Sequence, residues 1–234
     1  MAETYVSYDL ETSGSSPKKD RIIEVGAVKF DSERKILGKF SQLVDPQCDI
    51  SPMAWSVHHI GSKMVKGCPT IAEVLPQFFA FIEGVDLVMA QMPSNRFDVA
   101  AVHAELQRLD APLRVPDVPV ISTIPLAKWL LPGKKSYSLE NMASHVGLDV
   151  DVTHRALADA YLLASIFLKL LAANPEVTTE RILRSIPVYS LASGDKMLST
   201  DLAPAQTVVV NQYDEARFGC ECGVPWGWAA GVVA

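Results

Sequence analysis

Three β-prone runs crowded into the first 44 residues constrain this chain more than any other feature. Residues 4–10 alternate in polarity, 21–30 (RIIEVGAVKF) read as a second strand, and 35–44 as a third. A Gly/Ser/Pro/Lys turn at 13–20 and a tight turn at 31–34 join them. Connections this short suit an antiparallel meander, because parallel neighbours need a long crossover. The texture then changes. Thr70 and Glu73 form a capping-box pattern ahead of helical apolar spacing over 71–82. A short apolar strand is expected at 86–90, a helix at 96–109 with Asn95 as its N-cap, and another strand at 118–122. Helices follow over 124–131, 139–146 and 156–173. The order predicts an α/β fold: a mixed sheet, three antiparallel strands then parallel strands, flanked by helices.

Asn174-Pro175 ends the last long helix. The chain therefore divides into a domain over 1–175 and a C-terminal extension over 176–234 of unknown role, with a strand expected at 207–210 and an end rich in Gly, Trp and Ala. With 234 residues, 49% hydrophobic and 21% charged, the sequence reads as a soluble globular protein. A formal charge of −6 argues against a protein that coats nucleic acid, though not against an enzyme gripping a few nucleotides. No apolar run reaches the ~18 residues of a membrane span, and the acidic start is unlike a signal peptide. Cys48, Cys68, Cys220 and Cys222 match no zinc spacing, so reduced thiols in a cytoplasmic protein are expected.

The chemistry-bearing residues are four acids and a histidine in three segments: Tyr8-Asp9-Leu10-Glu11-Thr12, Ser94-Asn95-Arg96-Phe97-Asp98 and His154-Arg155-Ala156-Leu157-Ala158-Asp159-Ala160. Asp9 and Glu11, two apart at a strand end, project from one face. Paired carboxylates repel unless a cation or proton lies between them. Asp98 falls in a first helical turn, where an acid also suits the helix dipole. Asp159 interrupts a run of small apolar residues, where a charge is costly without a partner. His154, five residues earlier, titrates near neutrality and could take a proton from water. All-carboxylate donors select Mg²⁺ or Mn²⁺ over zinc or copper. Two such ions about 3.5–4 Å apart activate water and stabilise the leaving oxygen in phosphodiester cleavage.

At these residues the chain resembles the DEDD superfamily of 3′–5′ exonucleases, in its histidine-bearing, DnaQ-like subgroup. Asp9-Leu10-Glu11-Thr12 matches the first motif, residues 20–28 the second strand, residues 52–60 (PMAWSVHHI) the segment before a nucleotide-contacting loop, and His154, Ala156, Asp159 and Ala160 the third motif. The resemblance covers roughly residues 4–172. It implies a ribonuclease-H-like fold and two Mg²⁺ ions, with Mn²⁺ able to substitute. Asp9, Glu11 and Asp159 would hold the first ion, Asp9 and Asp98 the second, and His154 would be the general base. Leu10 and Thr12 would lie against the 3′-terminal nucleotide, and His58 and Ile60 in the region that contacts a base, although these two read equally as ordinary loop and core residues.

One motif departs. The family usually carries His-Asn-Ala shortly before Phe-Asp; here Gln91 stands for the histidine, and Asn95, carried as a substrate contact, is displaced. The expected substrates are single-stranded or mismatched DNA 3′ ends, with RNA ends as the close rival. A DNA polymerase or other replication or repair protein and a second copy of the chain complete the expected partners. A non-catalytic binding module of the same fold is the alternative of another class. Lys18, Lys19 and Arg21, and Lys128, Lys134 and Lys135, read equally as phosphate contacts or as a solvated face. Trp55, Trp129, Trp226 and Trp228 could stack bases, although core packing is the commoner use.

Overall fold

A computed structural model of the chain describes residues 2–93, 96–150 and 152–197. Three antiparallel strands open it: β1 (Thr4–Thr12), β2 (Ile22–Asp31) and β3 (Ile36–Leu43). Two short helices follow, α1 (Pro52–His58) and α2 (Ser62–Val65), then α3 (Ile71–Ile82). The remainder alternates: β4 (Leu87–Ala90), α4 (Phe97–Leu106), β5 (Val120–Ser122), α5 (Thr123–Leu130), α6 (Leu139–His145), α7 (Ala156–Ala173), α8 (Thr179–Ser185) and β6 (Val188–Tyr189). The sheet order is β3-β2-β1-β4-β5-β6, with β4 parallel to β1 and to β5, and β6 antiparallel to β5. This is the mixed sheet flanked by helices that the strand pattern predicts.

Alternation along β1 divides the core. Val6, Tyr8 and Leu10 face α3 and α4, where Tyr8 meets Phe78 with ring centroids 5.5 Å apart. Tyr5 faces α7 and meets Phe167 edge-on at 5.2 Å, a geometry worth about 0.5–1.5 kcal/mol beyond the area buried. The expected capping box is present: the Glu73 carboxylate accepts from the Thr70 N–H at 2.7 Å and from its hydroxyl at 2.9 Å. Before α4, however, the N-cap is Arg96, left-handed at φ 55° and without a side-chain cap bond; Asn95, expected there, lies outside the described residues.

Packing continues past residue 175. Val177, Ile182, Ile186 and Val188 are buried in the same cluster as Tyr5 and Phe167, and Tyr5 Oη lies 3.3 Å from Thr179 Oγ1. The folded unit thus includes α8 and β6, which periodicity alone does not disclose because both are so short. The strand expected at 207–210, Cys220, Cys222, Trp226 and Trp228 lie outside the described residues. Among the described residues α7 alone has the length and apolarity to cross a membrane, 18 residues at mean hydropathy 1.7. It is a core helix here, burying Ala160, Leu163 and Phe167 against the sheet.

Candidate active site

Side chains at alternate positions of β1 meet successive turns of α7. Below the site, Ser7 Oγ donates to the Ala160 carbonyl at 2.7 Å. Two and four residues further along β1 stand Asp9 and Glu11, on the same face. One carboxylate oxygen from each of Asp9, Glu11 and Asp159 falls within 4.8 Å of the others. These three, with Leu10, Gln91 and His154, line a cavity of about 200 Å³. His154 is exposed at its rim and left-handed at φ 50°. Asp159 holds the segment before the helix in that shape, its carboxylate accepting from the backbone N–H groups of Thr153 and His154.

Charge crowding dominates the electrostatics. Burial, then the neighbouring Asp98, Glu11 and Asp159, hold the Asp9 carboxyl well above the usual carboxylate range. Glu11 is pushed up to about 9, by burial first, then by Glu24, Asp159 and Asp98, with Arg155 opposing. Burial raises Asp98 to about 7 against the opposing pull of a bond from its own backbone N–H. Asp159 is raised to about 6, again chiefly by burial. Converging acids held in this way take up protons or a cation. The donors are oxygens only, and the geometry fits a hard divalent ion at Asp9, Glu11 and Asp159. Asp98 stands outside that trio, buried in the first turn of α4 and near enough to Asp9 to push its carboxyl up. The buried Tyr8 hydroxyl has no hydrogen-bond partner among the described residues, and burial first, then Asp98 and Asp9, push the phenol up.

Sequence reasoning passed over the residues that hold the trio in register. Glu24 on β2 stands opposite Glu11 in the β-ladder and is 1% exposed. Its carboxylate accepts from Arg155 Nη2 at 2.6 Å and Nε at 3.1 Å, and from the Ala156 N–H at 3.0 Å. Glu24 therefore caps α7 from a neighbouring strand, where the positive end of the helix favours a carboxylate. Gly26, on the same face, allows the close approach: a Cβ there would lie 2.1 Å from the Ala156 carbonyl carbon and the Leu157 nitrogen. The available signals were an acid within the apolar run RIIEVGAVKF and an arginine beside His154. Neither reveals its partner 131 residues away.

The expected substrate contacts divide. Leu10 lines the cavity. Thr12 is buried, and its hydroxyl donates to the Gly14 carbonyl at 2.7 Å, shaping the following turn. His58 and Ile60 face inward, as the reading of them as loop and core residues expects. The His58 Nδ1 accepts from the Ile60 N–H at 3.0 Å and its Nε2 lies 3.3 Å from the Thr12 carbonyl, while Ile60 is fully buried against Ile23, Leu43 and Val65. Asn95 lies outside the described residues. Gln91 lines the cavity with both ends of its amide engaged: Nε2 donates to the Tyr137 carbonyl at 2.7 Å and Oε1 accepts from Thr123 at 3.0 Å. Arg21 forms an ion pair with buried Glu105 at 2.9 Å, so it is a structural residue.

The family model RNase_T, described as an exonuclease, matches residues 6–167. A curated DNA polymerase III of PolC type from Clostridium perfringens is 38% identical over 164 residues, 70% of this chain but 11% of that polymerase; the chain spans about a tenth of such relatives. The DNA polymerase III epsilon subunit of Treponema pallidum is 34% identical over 171 residues, covering 72% of this chain and 76% of that subunit. Among solved structures, exonuclease X in complex with 5′ overhanging duplex DNA aligns with a TM-score of 0.59 and 28% identity, covering 76% of this chain and 96% of that one.

Proposed function

The chain belongs to the DnaQ-like, DEDDh 3′–5′ exonuclease superfamily, and on that premise we propose that it trims DNA from 3′ ends, releasing nucleoside 5′-monophosphates. The observation that carries the reading is the carboxylate trio within 4.8 Å, sharing one cavity with His154. Asp9, Glu11 and Asp159 would hold one divalent ion, and Asp9 with Asp98 a second. Such ions, when bound, lower the pKa of a water and stabilise charge on the leaving oxygen.

The chain's own residues supply the rest. His154, at the cavity rim, takes the proton from the attacking water as general base. Leu10 packs against the terminal nucleotide. Glu24 and Gly26 keep the start of α7 in register with β1, so that Asp159 faces Glu11. DNA is favoured because the relatives carry the name of DNA polymerase III or of its epsilon subunit and the 28% identical structure holds duplex DNA with an overhang. The same likeness supports a polymerase as partner.

The test uses single-stranded DNA and RNA of one sequence, labelled at the 3′ or the 5′ end, with Mg²⁺, Mn²⁺ or EDTA. The expected result is a metal-dependent ladder shortening from the 3′ end, faster on DNA and absent in Asp9→Ala. Faster RNA cleavage would reassign the substrate. Binding without cleavage under any metal would replace the enzyme with a non-catalytic module.

A further inference from the structure

Residues 188–197 turn back on themselves and close on α4. Tyr189 bridges antiparallel to Lys196, the Gly194 N–H donates to the Ser190 carbonyl at 2.9 Å, and the Met197 N–H donates to the Val188 carbonyl at 2.8 Å. Leu191, at the bend, is buried in the same cluster as Val99 and Val102 of α4. Polar groups of this hook meet α4 at two points. His103 Nδ1 lies 2.8 Å from the Ala192 carbonyl; a carbonyl only accepts, so the ring donates. Gly194 lies against the same side chain, left-handed at φ 70°, where a Cβ would stand 3.1 Å from His103 Cβ and Cγ. At the second point the Arg96 guanidinium lies 5.8 Å from the centre of the Tyr189 ring, within cation–π range, and 3.8 Å from the Asp195 carboxylate. Arg96 and His103 are two helical turns apart, so both points lie on one face of α4.

Between these two points stands Asp98, in the first turn of α4. That turn begins from Arg96, which is left-handed at φ 55° and makes no side-chain cap bond, a conformation that costs a non-glycine residue energy. The far end of α4 is tied to β2: Glu105 accepts from Arg21 Nε at 2.9 Å and from the Ile22 N–H at 3.1 Å. Burial of Val99, Ala101 and Val102 holds the helix against the sheet, but apolar burial is non-directional and leaves rotation and advance along the axis to other contacts. Among the described residues, the directed contacts of the Arg96 and His103 side chains come from the hook.

We propose that the 188–197 hook positions Asp98: through Arg96 and His103 it fixes the rotation and advance of α4, and so the place of the Asp98 carboxylate relative to Asp9. The inference rests on the proposed exonuclease reading, in which Asp9 and Asp98 share the second ion. Arg96 and His103 are thus positioning residues, acting through the helix that carries the acid. The exposed Arg96–Asp195 pair contributes little by itself; stacking on Tyr189 and the His103 bond carry the tether. This chain lacks the family's His-Asn-Ala shortly before Phe97-Asp98, and the hook supplies an anchor at that point from the opposite end of the sequence.

The experiment titrates the full chain with Mn²⁺ by calorimetry, without nucleic acid, and uses Asp98→Ala to identify the binding step that needs this acid. Arg96→Gly removes the side chain while leaving a residue at ease in the left-handed conformation, so it separates the tether from backbone strain. His103→Ala removes the second point. The double variant is expected to weaken the Asp98-dependent step by about tenfold or more, the scale of residues that orient a metal ligand, and to spare the step assigned to Asp9, Glu11 and Asp159. Its kcat should fall at least as far, with oligonucleotide affinity in EDTA unchanged. Each single variant, at a half-buried position, is read as well, so an unfolded double variant still leaves two comparisons. A native Asp98-dependent step in the folded variants overturns the proposal. So does a raised KM with a native isotherm, which would make Arg96 a phosphate contact. An isotherm that Asp98→Ala itself leaves whole has a different meaning: it overturns the second-ion reading, and the role of the hook with it.

Discussion

Gly26→Ala is the sharpest perturbation the structure offers, because it adds one methyl group and no charge. The new carbon would stand 2.1 Å from the backbone of Ala156 and Leu157. Carbon atoms pack at about 3.5 Å, so the start of α7 must retreat by about 1.4 Å, with no flexible side chain to yield instead. Asp159 lies in that same first turn and moves with it, away from Asp9 and Glu11. Metal–ligand distances tolerate shifts of about 0.2 Å, so the displaced carboxylate leaves the first ion short of a ligand. The bond from Ala156 N–H to Glu24, 3.0 Å in the native fold, lengthens too. Overpacking of this kind costs about 1–3 kcal/mol of stability, and a misplacement near 1 Å costs about 100-fold in rate. Activity should therefore fall much further than stability. Turnover of a labelled oligonucleotide, a Mn²⁺ titration and a urea midpoint measure the three quantities. Gly38→Ala is the control: its nearest neighbour is the Phe81 side chain at 3.2 Å, which can give way, and its turnover should stay native. Wild-type turnover and Mn²⁺ affinity in Gly26→Ala would refute the argument that this contact sets the register of the site.

Other consequences follow from the same geometry. His154→Ala should lower kcat by about 10²–10⁴ while sparing the Mn²⁺ isotherm; loss of the isotherm would make His154 a ligand rather than a base. Metal-free stability should fall as pH rises from 5 to 9. The folded-state pKa values of Asp159 (about 6), Asp98 (about 7) and Glu11 (about 9) lie above their ordinary values, so their contribution is full at acid pH and disappears as each ionises. Mg²⁺ should restore the loss, and its binding at pH 7 should release protons measurable by calorimetry in two buffers; a thermal midpoint that rises with pH without metal would contradict the charge crowding. Ending the chain at 175 removes Val177, Ile182, Ile186 and Val188 from the core, each worth about 1.5–3 kcal/mol, which exceeds the smaller values of typical domain stability. That truncation should lose cooperative unfolding, whereas ending at 197 should keep it.

The helices over 71–82 and 156–173 were legible to the residue because long amphipathic or apolar periodicity and their caps are local signals. The first five strands were legible for the same reason, to within a residue or two, whereas β6 was not. In the site, the spacing of Asp9 and Glu11 carried its own geometry, since a strand places alternate residues on one face. What stayed hidden was pairing at a distance. Glu24 looks like an ordinary charge in a strand until Arg155 and the start of α7 are set against it, and Gly26 looks like a weak strand residue until the helix lies on it. His58 and Ile60 were legible only as alternatives, base contact or ordinary loop and core, and the fold buries both. The helices α1, α2 and α8 were not anticipated; four to seven residues carry little period, although α6, also seven residues long, was expected at 139–146.

The two margins of the sheet differ in their capacity to recruit a further strand. At one, β6 offers only Val188 and Tyr189 beside β5, too short a template to grow on. At the other, β3 is eight residues long and exposes Ile36 and Leu37 at its start. Among the described residues the β3 margin is thereby the longer template for intermolecular strand exchange. Any such growth would lengthen the sheet sideways, with β2 and β1 still between the newcomer and β4.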